Sequence, residues 1–125
     1  MDLRGALAFE VLQKQTGVHM NANPGNELRE FISQYEVRVG DIPTAICLQV
    51  YRRRSDGKLL IEQSHFIKTG IQYLPYAVSE FQGLDETAAV SQLKKNILGF
   101  YEQAVRRGYA PAESWLVPNS NFQEL

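Results

Sequence analysis

The spacing of apolar positions changes several times along the chain, and each period predicts a different element. Leu3, Leu7 and Val11, with Ala8 and Leu12 beside them, recur at helical intervals, and Gly17 follows as a stop, so a short helix is expected there. Asn23, Pro24, Gly25 and Asn26 form a turn cluster. Leu28, Phe31, Ile32 and Tyr35 then follow i, i+3, i+4, i+7, which predicts a second short helix with Asn26 as its N-cap. Tyr35, Val37 and Val39 alternate with charged neighbours and also fit the start of a strand.

From Thr44 the period is two. Ile46, Leu48 and Val50 fall on one side, and Cys47, Gln49 and Tyr51 on the other. Asp56-Gly57 separates this strand from the run Leu59 to Ile67, and Asp-Gly between two such runs signals a hairpin because its turn needs positive φ. A two-residue loop would pair Ser55 with Lys58, setting Leu48 opposite His65 and Tyr51 opposite Glu62. A three-residue bulged loop would pair Arg54 with Lys58, setting Cys47 opposite His65 and Val50 opposite Glu62. An extended segment over Ile71 to Phe81 is expected at a sheet edge, since Pro75 lacks an amide donor.

The clearest element follows. Asp85 is placed to cap a helix running to Arg107, with Val90, Leu93, Ile97, Phe100 and Ala104 as its apolar stripe and Gly108 and Pro111 ending it. At about 1.5 Å per residue such a helix extends on the order of 33 Å, enough to cross a small sheet. Trp115 to Val117 should form a last strand or strap, and the polar segment 118–125 should be poorly ordered unless a partner holds it. These elements predict a single α+β domain over 1–125. In it, a mainly antiparallel sheet of three to five strands is covered on one face by a long C-terminal helix, with short N-terminal helices.

Composition adds exclusions. With 44% apolar and 22% charged residues in 125, the chain is hydrophobic enough to fold without staples. Thirteen basic against fourteen acidic residues give a net charge of −1, so any contact with phosphate must be local. Cys47 is the sole cysteine, which excludes an intramolecular disulfide and a multi-cysteine zinc site and points to a reducing, cytoplasmic setting. Met1 to Gln15 does not read as a secretory signal, and no apolar run is long enough for a membrane span. His19 and His65 show no ligand spacing, and no phosphate loop or dinucleotide fingerprint occurs, so no metal or cofactor is expected. Ser91 to Lys94 and Lys68 to Gly70 match the S-x-x-K and K-T-G signatures of serine penicillin-binding proteins, but in reversed order and without S-D-N. These are chance matches.

Six features remain to be weighed. Tyr51, Glu62, His65 and Tyr73 are polar handles for a ligand pocket between sheet and helix. Cys47 beside His65 would be a reactive pair in one hairpin register, although a buried cysteine acting as a small hydrophobe is the better reading. Arg52, Arg54 and Lys58 could contact an anion, nucleic acid or a protein partner, but Arg53 points the other way and charges at a hairpin tip are commonly just solvated. Lys94-Lys95 and Arg106-Arg107 are better read as a solvated helix face whose last-turn cations complement the dipole. Gly99, inside that helix, costs about 1 kcal/mol relative to Ala; it could admit a close backbone from the sheet or a second subunit, and a tolerated neutral glycine fits equally well. The aromatics Tyr73, Tyr76, Phe81, Phe100, Tyr101, Tyr109 and Trp115 are expected mainly in the core. With no convergent catalytic set, the leading expectation is a non-catalytic protein-interaction or regulatory domain that self-associates. A small-molecule binder or small enzyme comes next, and nucleic-acid binding through the hairpin arginines third.

Overall fold

The computed structural model describes residues 9–14, 20–21 and 28–124. The main sheet is antiparallel. Its four longer strands are β1 (Phe9–Lys14), β3 (Arg29–Val37), β4 (Ile46–Arg53) and β5 (Leu59–Gln63), in the order β1-β3-β4-β5. Two-residue strands extend it: β2 (Met20–Asn21) pairs with β3, and β7 (Glu80–Phe81) pairs with β5. A second, two-stranded sheet joins β6 (His65–Ile67) to β8 (Leu116–Pro118). One helix, α1 (Glu86–Arg106), packs against the main sheet. The expected α+β architecture is therefore observed.

The expected N-terminal helices are not. Phe9–Lys14 and Arg29–Val37 are strands, and the rest of the first proposed helix, with the turn cluster at 22–26, lies outside the described residues. The second error has a clear cause. Phe31 pairs with Tyr51 but Ser33 pairs with Val50, so Ile32 is an inserted bulge residue. The bulge reverses the parity of the strand: Phe31 is buried on one face of the sheet, whereas Tyr35 and Val37 are buried on the other. Apolar residues that a helix would have gathered into one stripe are thereby divided between two sheet faces.

The helix-facing side of the sheet carries Tyr35, Val37, Ile46, Leu48, Val50, Leu59 and Ile61. These meet Ala89, Val90, Leu93, Ile97, Tyr101 and Ala104 of α1 in one core. Burying six such aliphatic sheet residues, at about 1.5–3 kcal/mol each, is the main term holding helix to sheet. Asp85 caps α1 by accepting from the Ala88 amide at 2.8 Å, and Gly108, with φ 92°, follows its end. The stripe is wider than expected, since Ala89, Leu98 and Tyr101 are also buried, while Phe100 is only partly so. The N-terminal turn is also tied to β3, because the Glu86 carboxylate accepts from both the Ser33 and Tyr35 hydroxyls. Burial and that carboxylate raise the Tyr35 pKa.

The hairpin forms in neither expected register. Leu48 faces Gln63 and Gln49 faces Glu62, so the loop is four residues, Arg54 to Gly57. The Arg53 amide donates to Lys58 O at 2.9 Å and Gly57 N donates to Arg53 O at 2.8 Å. Asp56 decides this. It takes a two-pronged contact from the Arg53 guanidinium, at 3.0 and 2.8 Å, while accepting from the Lys58 amide at 3.1 Å, and Gly57 completes the turn at φ 74°. Of the extended segment expected over 71–81, only Glu80–Phe81 is a strand, and it lies at the sheet edge. The C-terminal segment is held by the chain itself. Asn119 donates its side-chain amide to Gln63 O at 2.9 Å, and Gln123 O accepts from the Gln49 amide at 2.9 Å.

Candidate interaction surface

The four proposed pocket residues do not converge. Tyr51 is buried on the sheet face away from α1, edge-on to Phe31 at 5.6 Å between ring centroids, and its hydroxyl donates to Gln49 Oε1 at 3.0 Å. The Arg29 guanidinium lies 4.0 Å from the Tyr51 ring centroid and 3.8 Å from Glu62, linking those two residues into one structural cluster. His65 lies beyond β5, its Nδ1 2.9 Å from Ser64 Oγ. Tyr73 is 92% exposed and touches none of them.

A polar hollow of about 330 Å³ does exist on that same sheet face. It lies between Gln34, Cys47, Gln49, Ser64 and His65 on one side and Phe122 and Glu124 on the other. Cys47 and His65 are thus near each other, with Ser64 between them: its hydroxyl accepts from the Cys47 amide at 2.8 Å and reaches the imidazole. The arrangement does not activate sulfur. Burial, and then the Glu36 and Glu124 carboxylates, push the Cys47 thiol up to about 11, so it stays protonated at neutral pH. The Gln49 side chain is occupied by Tyr51, Gln34 and Gln123. The hollow's polar groups mainly bond one another, an arrangement that fastens the C-terminal segment to the sheet.

The hairpin cations are similarly engaged. Arg53 reaches Asp56 and Glu80, Lys58 lies 4.0 Å from Asp56 and 3.7 Å from Glu80, and Arg52 donates to Gly57 O at 3.1 Å. The Arg54 backbone amide donates to Leu28 O, while the residue itself is exposed. Arg53, first, and the Lys58 amide lower the Asp56 pKa to about 2.

The turn between β6 and β7 is different in kind. Gln72 folds back under it: its side-chain oxygen accepts from the Thr69 amide at 2.7 Å, and its side-chain nitrogen donates to Ile67 O at 3.0 Å and Leu74 O at 3.4 Å. Thr69 is buried and its carbonyl accepts from the Gln72 amide at 3.2 Å. On the far side the Tyr76 amide donates to Ile67 O, the Tyr76 hydroxyl accepts from Asn96 of α1 at 2.8 Å, and its ring lies tilted against Phe100 with centroids 5.3 Å apart. Between these anchors Tyr73 and Leu74 point outward, 92% and 68% exposed. Two adjacent large apolar side chains on a turn braced from both sides make a preorganised projection. Leu74 and the bracing Gln72 escape sequence reading. The only signal for them was a Tyr-Leu-Pro run beside the turn formers Thr69-Gly70.

Among the described residues no group of three or more His, Cys, Asp or Glu side chains could hold a metal ion, and no helix is long and apolar enough to cross a membrane. No family model, curated protein or solved structure matches the chain.

Proposed function

We propose that this chain is a non-catalytic protein-interaction domain that presents the Tyr73–Leu74 tip to an apolar pocket on a partner protein. The observation carrying this reading is the exposure of those two side chains on a turn held rigid by Gln72 and Tyr76. Single exposed apolar residues are ordinary, but an adjacent pair at a braced tip loses little conformational freedom on docking, and tyrosine is among the residues that dominate binding energy at interfaces. The other readings have weaker support. A thiol held near 11 is a poor nucleophile, the polar hollow is already internally bonded, and Arg53 and Lys58 share Asp56 and Glu80. A lone cysteine suits a reducing compartment such as the cytoplasm.

The test compares the intact chain with the double variant Tyr73→Ser/Leu74→Ser as baits, followed by affinity measurement on any purified partner the intact chain retains. A hot spot of about 2 kcal/mol predicts at least a roughly tenfold weaker complex for the variant, with its melting temperature unchanged. Equal binding by the two proteins would remove the tip from the function.

A further inference from the structure

The outward side of α1 supports a second interface, distinct from the Tyr73–Leu74 tip, so each can fail without the other. Gly99 sits in the middle of the helix on the side opposite the core stripe, and a Cβ built there meets no described atom within 4 Å. The sheet therefore does not explain this glycine. Two hollows, of about 430 and 420 Å³, flank it. One is bordered by Lys94, Leu98 and Glu102, the other by Tyr76, Asn96 and Phe100, and Lys95 and Gly99 border both. The surface is thus low at its centre, with the partly buried Tyr76 and Phe100 on one flank, the buried Leu98 at the foot of the other, and polar and charged side chains along its rim.

The charge order identifies the occupant. Lys95 lies one turn before Gly99 and Glu102 nearly one turn after it, both on the outer side of the helix. If two copies of α1 cross antiparallel at Gly99, Lys95 of each copy comes beside Glu102 of the other, giving two symmetric opposite-charge contacts. A parallel crossing would instead set lysine against lysine and glutamate against glutamate. The missing side chain lets the two helix backbones approach, and the flanking hollows receive each other's neighbouring side chains. We infer that the chain forms a two-fold homodimer through antiparallel α1 helices crossing at Gly99, with reciprocal Lys95–Glu102 contacts. Glu102 also lies 3.5 Å from Arg106 in the same helix, a solvent-exposed pair that can be shared or exchanged when the second copy docks.

Sedimentation equilibrium of the full chain at low salt tests this. The intact chain is expected to dimerise reversibly at roughly micromolar to tens of micromolar concentration, as suits a small interface. Gly99→Gln puts bulk at the crossing while improving helix propensity, so it should weaken the dimer at least about tenfold and leave the melting temperature equal or higher. Lys95→Glu and Glu102→Lys should each weaken it by roughly three- to tenfold, and the double charge exchange should restore it. Tyr73→Ser/Leu74→Ser should leave the dimer intact. A chain that stays monomeric throughout, a dimer indifferent to Gly99→Gln, or a charge exchange without recovery would each overturn the inference.

Discussion

The turn at residues 54–57 and the turn at residues 70–75 each fold around one side chain bonded back to the backbone, Asp56 in the first and Gln72 in the second. Yet they present opposite surfaces. The first carries the densest run of charge in the chain, and much of that charge is paired along the surface, with Arg53 and Lys58 converging on Asp56 and Glu80. The second carries almost no charge and holds Tyr73 and Leu74 out into solvent, although burying those side chains would have stabilised the fold. Conspicuous residues are therefore not the available ones. A charged side chain can satisfy itself on a neighbour three residues away, whereas an apolar side chain held outward by a rigid turn has no local means of leaving water.

Removing the brace should have the largest effect on this contrast. Gln72→Ala deletes the acceptor of the Thr69 amide and the donor to Ile67 O, and should destabilise the turn by about 1–3 kcal/mol. Amide exchange over residues 69–76 should accelerate by roughly tenfold to a hundredfold while α1 is unaffected. Unchanged exchange would mean that the tip is not held by Gln72. A smaller effect is expected at the charged turn. Gly57 adopts φ 74° with no described atom near its missing Cβ, so Gly57→Ala should cost about 1 kcal/mol of backbone strain, read as a lower urea midpoint. A midpoint shift well beyond that would reveal a steric role for the glycine.

The mildest test is pH. The folded-state pKa of Asp56 is depressed to about 2, below the unfolded carboxyl value of about 3.9, so its contribution is complete above that unfolded value. It is lost as pH falls through about 2. Carboxyl chemical shifts of Asp56 should titrate near 2, and the Lys58 amide should lose protection only between about pH 4 and 2, while amides of the Tyr73–Leu74 turn do not respond. An ordinary Asp56 titration midpoint would show that the Arg53 contact does not persist in solution.

Legibility followed the range of the interactions involved. Helix α1 could be read within about two residues because its cap, stripe and stop are all local: Asp85 bonds three residues ahead, and Gly108 follows directly. That the Asp56-Gly57 segment turns the chain was equally local. Its register was equally short-range in origin but was one of several local alternatives, and the Arg53–Asp56 contact selected the four-residue loop. Strand β3 was misread because its bulge at Ile32 is defined only by pairing with β4, many residues away. The same limit applies to the candidate sites. Tyr51, Glu62 and His65 all lie on or near one sheet face, but Arg29, which links Tyr51 to Glu62, comes from a sequence-distant strand. Tyr73 was singled out as a pocket residue, and the structure places it on a projecting tip.

By itself the sequence determined the class of fold, the extent of the long helix and the existence of the hairpin, and its single cysteine leaves no second thiol for an intramolecular disulfide. Each of these depends on residues within a turn or two of one another, or on composition alone. Only the tertiary structure decided the strand identity of residues 29–37, the hairpin register, the pairing of the hairpin charges and the outward display of Tyr73 and Leu74. The strand identity depends on which distant backbone supplies a hydrogen-bond partner, and the two turns depend on which of several short-range side-chain bonds the packed fold selects.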